Sequence, residues 1–223
     1  MKSEITASWE KNAEEWIQVI ESNEIESRKY TNTAIVDTLR HTNATKILDI
    51  GCGEGWLTRS ITAMGKSAVG MDAIAALLEN ARKKGPEPYY QMSYEDIIAA
   101  KPIPETPFDL AVFNFCLYQK EGLTDLLAQI KKALVKDGRI IIQTLHPFFL
   151  FQQGLEYTSQ WIDDSWKGLP GNFIDGHSWY ARIFEDWATV FNTCKMTISE
   201  VKEVTNTHKQ PVSVIFILNC QQL

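Results

Sequence analysis

Cysteine, histidine and basic runs are all scarce in this chain. Its 223 residues hold four cysteines, Cys52, Cys116, Cys194 and Cys220. They are far apart and form no Cys-x-x-Cys pair, so the zinc frameworks built on that spacing are excluded and no metal is expected. We read them as the reduced thiols of a cytoplasmic protein. No apolar run reaches the about 18 residues of a membrane-spanning helix. The nearest, residues 140–151, is broken by Gln143, Thr144, His146 and Pro147, and no membrane partner is expected. The first residues lack the apolar centre of a secretory leader. Lysine and arginine form no cluster. With 22 basic residues against 28 acidic ones the net charge is −6, which argues against a nucleic-acid partner. Oligomeric state leaves no mark in the sequence.

What is present has the composition of one globular domain, 44% hydrophobic and 22% charged. Residues 1–45 read as helical, with Trp9, Ala13, Trp16, Ile17 and Ile20 in one stripe and Ile35, Val36 and Leu39 in another. Strand patterns follow at residues 46–50, 67–71, 88–92, 108–114 and 139–145. They are nearly continuous apolar runs, as in strands covered on both faces. Helical stripes separate them: Leu57, Ile61 and Met64; Ile74, Leu77, Leu78 and Ala81; Leu123, Leu126, Leu127, Ile130 and Leu134. Asp137 and Gly138 read as the turn into the fifth strand. Alternation of this kind predicts a parallel α/β sheet. Residues 147–181 match neither period and carry many aromatic rings, a long irregular segment of the kind that serves function. At the end, Ile183, Trp187, Val190 and Phe191 predict a helix. Residues 195–204 and 212–220 then predict an antiparallel strand pair.

The richest local signal is ILDIGCGEG, residues 47–55, where an apolar strand runs into glycines spaced G-x-G-x-G. Gly51 and Gly53 let the backbone approach a ligand at the strand's carboxyl end, or simply make a tight turn. Gly55 suits close helix–strand packing. The acid before them, Asp49, works against a pyrophosphate at this turn. It favours a ligand that brings a cation, such as S-adenosylmethionine with its sulfonium and amino group. Asp49 is then a partner for the ammonium, or else a strand-end carboxylate satisfied by backbone amides. Asp72, twenty-one residues after Gly51, has two oxygens that match the vicinal hydroxyls of a ribose. Its other role is an N-cap for a helix opening at residue 73.

Together these stretches resemble the class I S-adenosylmethionine-dependent methyltransferases of small-molecule type. ILDIGCGEG is similar to that family's first motif, AVGMD to its second, QMSYEDI to its third and FDLAVFNF to its fourth, with LVKDGRIIIQT leading into the fifth strand. The resemblance covers residues 44–145 well and the final helix and strand pair more weakly. It implies a Rossmann-like, doubly wound, seven-stranded sheet, mostly parallel, with the last strand inserted antiparallel. It implies one domain over residues 1–223. Residues 1–45 are a helical cover, 46–145 the cofactor core, 147–181 a substrate-side aromatic insertion and 182–223 the closing helix and strand pair. By the same resemblance the cofactor lies where strand order reverses, at the ends of the first and fourth strands. Ala73 lines the adenine pocket. Ser93 and Tyr94 sit at the adenine-contact motif, although Ser93 with Asp96 also reads as a capping box. Asn114 presents its backbone carbonyl to the cofactor amino group, or merely ends a strand, and Phe115 faces the methionine end. Arg28, in the cover, is a clamp for the cofactor carboxylate or an ordinary surface arginine.

Methyl transfer from a sulfonium is an in-line displacement whose thioether leaving group needs no proton. Alignment and exclusion of water are the main work, and a base is optional. His146, at the end of the fifth strand, and His177, in the aromatic segment, are the candidates for that base or for a ligand to the acceptor. The other readings are a non-catalytic module that binds the cofactor, a nicotinamide oxidoreductase, which Asp49 opposes, and an aminopropyltransferase, for which no acidic cluster is seen.

Overall fold

The structure, a computed structural model, describes residues 3–220. Two helices come first, α1 (Glu4–Glu21) and α2 (Arg28–Arg40). Strand and helix then alternate through β1 (Lys46–Ile50), α3 (Trp56–Ala63), β2 (Ser67–Asp72), α4 (Ala75–Lys84), β3 (Tyr89–Gln91), α5 (Tyr94–Ile98), β4 (Phe108–Asn114), α6 (Leu123–Lys132) and β5 (Leu134–Leu145). The rest comprises α7 (Phe148–Gln152), β6 (Gln160–Ile162), β7 (Trp179–Ala181), α8 (Phe184–Thr193), β8 (Met196–Thr205) and β9 (Pro211–Cys220).

Seven strands form one sheet in the order β3-β2-β1-β4-β5-β9-β8. Strands β1 to β5 run parallel, and β9 enters antiparallel between β5 and β8. The chain leaves β1 toward β2 and β3 on one side, then returns to place β4 on the other. Order therefore reverses between β1 and β4, and the crossover connections diverge at the carboxyl ends of these strands.

Alternation along each strand sorts the core into two layers. Leu48, Ile50, Phe113, Ile140, Ile142, Val214, Phe216 and Leu218 pack with Leu126, Ile130, Trp187 and Phe191 of α6 and α8. Ile47, Leu110, Val112, Ile141, Ile215 and Ile217 pack instead with Ile35, Leu39, Leu57 and Ile61 of α2 and α3. Burial on both faces is why these strands read as unbroken apolar runs.

Four local expectations need correction. Leu134 opens β5 rather than closing α6, whose last turn is capped by the backbone N–H of Ala133. Asp137 and Gly138 do not turn into β5 but form an irregularity within it. The register against β4 shifts between Phe108 and Leu110, and Asp137 takes a φ of 66°. Residues 147–181 are not wholly irregular, since they contain α7 and the antiparallel pair β6 and β7. Strands of three residues are too short for a period to register. Finally, α4 starts at Ala75 behind Ile74, so Asp72 is not its N-cap.

Phe216 tests the α8 layer. It is fully buried in β9, with ring centres of Phe191, Trp187 and Phe184 at 5.2, 5.8 and 6.1 Å. Phe216→Ala is expected to cost about 3–5 kcal/mol, read as a lower urea midpoint; a loss below about 1 kcal/mol would mean that this layer closes over the gap.

Candidate functional site

The carboxyl ends of β1 and β4 open into a cavity of about 1010 Å³. Its floor begins at the turn after β1. Gly51 and Gly53 have φ of 68° and 57°, left-handed values that favour glycine. A side chain at Gly51 would meet the Cys116 Cβ at 2.6 Å, whereas one at Gly53 would meet nothing within 4 Å. The first glycine is demanded by packing, and the second leaves bare backbone beside open space. Both belong to the cavity wall.

Asp72, at the end of β2, reaches this turn. Its Oδ2 accepts from the Gly53 N–H at 2.9 Å and its Oδ1 from the Ile74 N–H at 2.8 Å. Two donors leave lone pairs on both oxygens for a ligand. Burial pushes its pKa up, and the backbone N–H groups oppose the shift. Ala73 and Ile74 continue the same wall.

Asp49 shares the face of β1 that carries Ile47, toward α3, as its parity requires, and is 1% exposed. The Thr58 hydroxyl donates to it at 2.6 Å, and the Thr58 backbone N–H also favours its charged form, so both partners belong to α3. Burial raises its pKa to about 7, against the Thr58 hydrogen bond and with help from the charges of Glu54 and Asp72. Glu54 is also buried and its Oε1 has no partner. The Arg28 guanidinium lies 4.9 Å from the centre of the Trp56 ring and acts on Glu54 through charge. Arg28, Glu54 and Trp56 all line the cavity.

The third and fourth strands contribute less uniformly. Ser93 is spent on a capping box with Asp96, each bond 3.1 Å, and does not belong to the cavity wall. Tyr94 does, and its hydroxyl donates to the Cys116 carbonyl at 3.1 Å. Asn114 lines the cavity with an Oδ1 that has no partner. Phe115 follows with a φ of 51°, a strained value for an aromatic residue. Its N–H donates to the Gln143 carbonyl at 2.9 Å, and its carbonyl accepts from the Tyr118 hydroxyl.

The two histidines differ. His146 is 6% exposed, and its Nδ1 accepts from the Phe148 N–H at 3.0 Å. That fixes the proton of the neutral ring on Nε2, which donates to Glu203 at 2.8 Å. Neither nitrogen is left for an acceptor. His177 is 4% exposed, with Nδ1 3.0 Å from the Ser165 hydroxyl and Nε2 without a partner. Burial lowers its pKa to about 4, so it is neutral at physiological pH. Because the serine hydroxyl can donate or accept, the free Nε2 can take either role.

Residues 163–177 and α1 roof the cavity together. Asn12 bonds both the N–H and the carbonyl of Ile174, at 2.9 and 2.8 Å. Ser8 donates to the Asp175 carbonyl at 2.8 Å and accepts from the Trp166 indole at 3.0 Å. Trp166 stacks on Phe173 at 4.7 Å and meets Trp9 edge-on at the same distance. Sequence reasoning singled out Trp9 and Trp16 but missed Asn12, Thr58, Gln119 and Arg182. Glu54, standing between two glycines of the turn, was the one missed residue with a local signal.

The family model described as a methyltransferase domain matches residues 9–189. A ubiquinone biosynthesis O-methyltransferase of Actinobacillus pleuropneumoniae is 28% identical over 187 residues, 78% of this chain and 74% of that protein. Among solved structures, an S-adenosylmethionine-dependent methyltransferase of Mesorhizobium loti aligns with a TM-score of 0.64 at 18% identity, covering 85% of this chain and 97% of that one. The 1,6-didemethyltoxoflavin-N1-methyltransferase of Burkholderia thailandensis, holding 1,6-didemethyltoxoflavin and S-adenosylhomocysteine, aligns with a TM-score of 0.70 at 15% identity, covering 98% and 88%. At these identities the two structures speak to the fold.

The raised pKa of Asp49 has a direct consequence. Its folded value of about 7 exceeds the ordinary 3.8, so the native state holds this proton longer and loses stability as pH rises through that window. His177 works the other way at lower pH, since its neutral buried form loses stability as pH falls from 6.5 toward about 4. Asp49→Asn keeps an acceptor for Thr58 and removes the charge. Its thermal midpoint is expected to match the parent near pH 4 and exceed it at pH 8; equal midpoints at both pH values would show that Asp49 is not charged in isolation.

Proposed function

The chain belongs to the methyltransferase-domain family, and from that premise we propose that it transfers a methyl group from S-adenosylmethionine to a small-molecule acceptor by in-line displacement. The observation that carries this is the meeting of Gly51, Gly53 and the Asp72 carboxylate in a roofed cavity that is also lined by aromatic rings and by His177, whose Nε2 has no partner. The cavity volume matches the upper end of small-molecule sites, about 300–1,000 Å³. A structural neighbour is itself named for a small compound, 1,6-didemethyltoxoflavin.

The residues fit that cofactor. Asp72 accepts the ribose hydroxyls with the lone pairs that Gly53 and Ile74 leave free, and Ala73 flanks the adenine with Tyr94. The Asn114 carbonyl and Asp49 serve the ammonium, and Arg28 serves the carboxylate. Phe115 borders the methionine end. Ser93 takes part only by fixing the start of α5. When bound, the cofactor supplies a methyl group on a sulfonium. The protein holds the acceptor in line and keeps water out, which the roof of α1 and residues 163–177 accomplishes. His177 Nε2 orients the acceptor's nucleophilic atom by hydrogen bond. With so low a pKa it takes a proton fully only from an acidic nucleophile. We assign no such part to His146. The same reading makes residues 1–223 one domain with the four parts given above, and its free thiols suit the cytoplasm.

Thermal unfolding with S-adenosylhomocysteine tests the reading. A ligand at 100 times its Kd stabilises by about 2.7 kcal/mol, a rise of several degrees. The rise is expected for the parent, not with NAD, and is expected to vanish in Asp72→Ala. No rise in the parent would remove the cofactor assignment, and with it the proposed reaction. Loss of stabilisation in Asp72→Ala with its fold intact would place the ribose at Asp72.

A further inference from the structure

Arg182 follows β7 and lines the cavity, yet it is 6% exposed. Its Nη2 donates to the carbonyls of Gln119 and Lys120 at 2.8 and 3.0 Å, which ties β7 to the loop after β4. The Tyr180 N–H adds a parallel tie to the Tyr118 carbonyl at 2.8 Å. Nη2 is therefore structural. The remaining atoms, Nε and Nη1, have no hydrogen-bond partner. Asp186 Oδ2 stands 3.5 Å from Nε and is itself without a hydrogen bond.

A second group repeats the pattern. Gln119, whose carbonyl receives Arg182, also lines the cavity, and its side-chain Nε2 is buried without an acceptor. Unpaired buried donors are costly, about 1–3 kcal/mol for a neutral group and more for a charged one. Nε thus faces the Asp186 carboxylate, while Arg182 Nη1 and Gln119 Nε2 are donors on two cavity-lining residues that meet no acceptor among the described residues.

We propose that Arg182 and Gln119 form an anion subsite for the acceptor, which is an aromatic or apolar compound bearing a single carboxylate. The proposal rests on the methyl-transfer reading and names the substrate class of that site. One N–H of Arg182 Nη1 and one of the Gln119 amide supply a donor for each of the two oxygens of a carboxylate. The rings of Tyr180 and Trp187 lie 5.0 and 5.3 Å from the guanidinium carbon, and Phe149, Trp161 and Trp179 belong to the same cavity wall. They give the rest of the acceptor an apolar bed. A phosphate dianion is disfavoured, because the negative charges of Asp186 and Glu121 already act on Arg182. The subsite also orients the acceptor, since the carboxylate end is held at β7 and the opposite end is free to face the glycine turn.

Calorimetric titration with benzoate, 4-hydroxybenzoate and cinnamate, each against its neutral amide, tests this on the full chain with and without saturating S-adenosylhomocysteine. At least one acid is expected to bind about tenfold or more tightly than its amide. Arg182→Lys and Gln119→Leu are each expected to erase most of that preference while the affinity for S-adenosylhomocysteine stays put. Where Arg182→Lys fails to fold because it loosens the loop, Gln119→Leu, which keeps every backbone tie, decides. Absence of binding by all three acids, or equal binding of acid and amide, overturns the subsite even when S-adenosylhomocysteine binds. Binding of the acids without any binding of S-adenosylhomocysteine keeps the subsite and removes the methyl-transfer reading instead.

Discussion

Everything in the site depends on how the turn after β1 is pinned to the end of β2. The Met71 carbonyl accepts from both Gly51 and Cys52, at 2.7 and 3.0 Å, and the Asp72 carboxylate takes the next N–H, that of Gly53. Three consecutive backbone donors are thereby fixed by one neighbouring strand end. Left-handed φ at Gly51 and Gly53 makes this possible, and the bare Cα of Gly51 lets Cys116 and Tyr94 close in from the loop after β4 and from α5. Four segments distant in sequence meet at this point. Cys116 adds a further tie, donating to the Ile50 carbonyl at 3.2 Å. The reversal of strand order between β1 and β4 only opens a crevice; the pinned turn gives it a shaped, polar floor.

The roof is joined by different physics. Helix α1 rests on α4 through Trp9, Ala13, Trp16 and Leu77. It holds residues 163–177 by side chain to backbone hydrogen bonds, chiefly from Asn12 and Ser8. A segment with so little regular structure satisfies its backbone this way because no strand or helix does it instead. Asn12 is therefore 1% exposed although it is polar and helical. The exposed Lys11 to Asp175 ion pair, at 2.7 Å, adds little by comparison.

The sequence made the floor legible and the roof mostly illegible, for a physical reason. A floor built from backbone geometry needs particular residue types at fixed spacing, so glycines and an acid appear at strand ends where periodicity has already located them. Doubly buried strands announce themselves as apolar runs. The roof and the acceptor wall are assembled by contacts more than 100 residues apart, such as Asn12 with Ile174, and no local pattern records them. His177 was visible as a residue type, but its burial, its serine partner and its free nitrogen exist only once β7 has docked. His146 sat in an apparently better position at a strand end, where the fold consumes both of its nitrogens. Arg182 gave no signal at all, since a lone arginine before a helix reads as surface.

Charge divides the cavity into two ends. Near the glycine turn, burial raises the pKa of Asp49, Glu54 and Asp72 together, and the cations that act there, Arg28 first and then Arg59 and Lys84, act on Glu54. Such a cluster resists full ionisation alone and gains from a ligand that brings positive charge. At the other end Arg182 keeps unspent donors among aromatic rings. A ligand carrying an ammonium and a sulfonium is drawn to the first end. Loss of the methyl group would turn the sulfonium into a neutral thioether and remove its part of the attraction to the acidic end. An acidic floor of this kind would hold the spent cofactor less tightly than the methyl donor without any moving part.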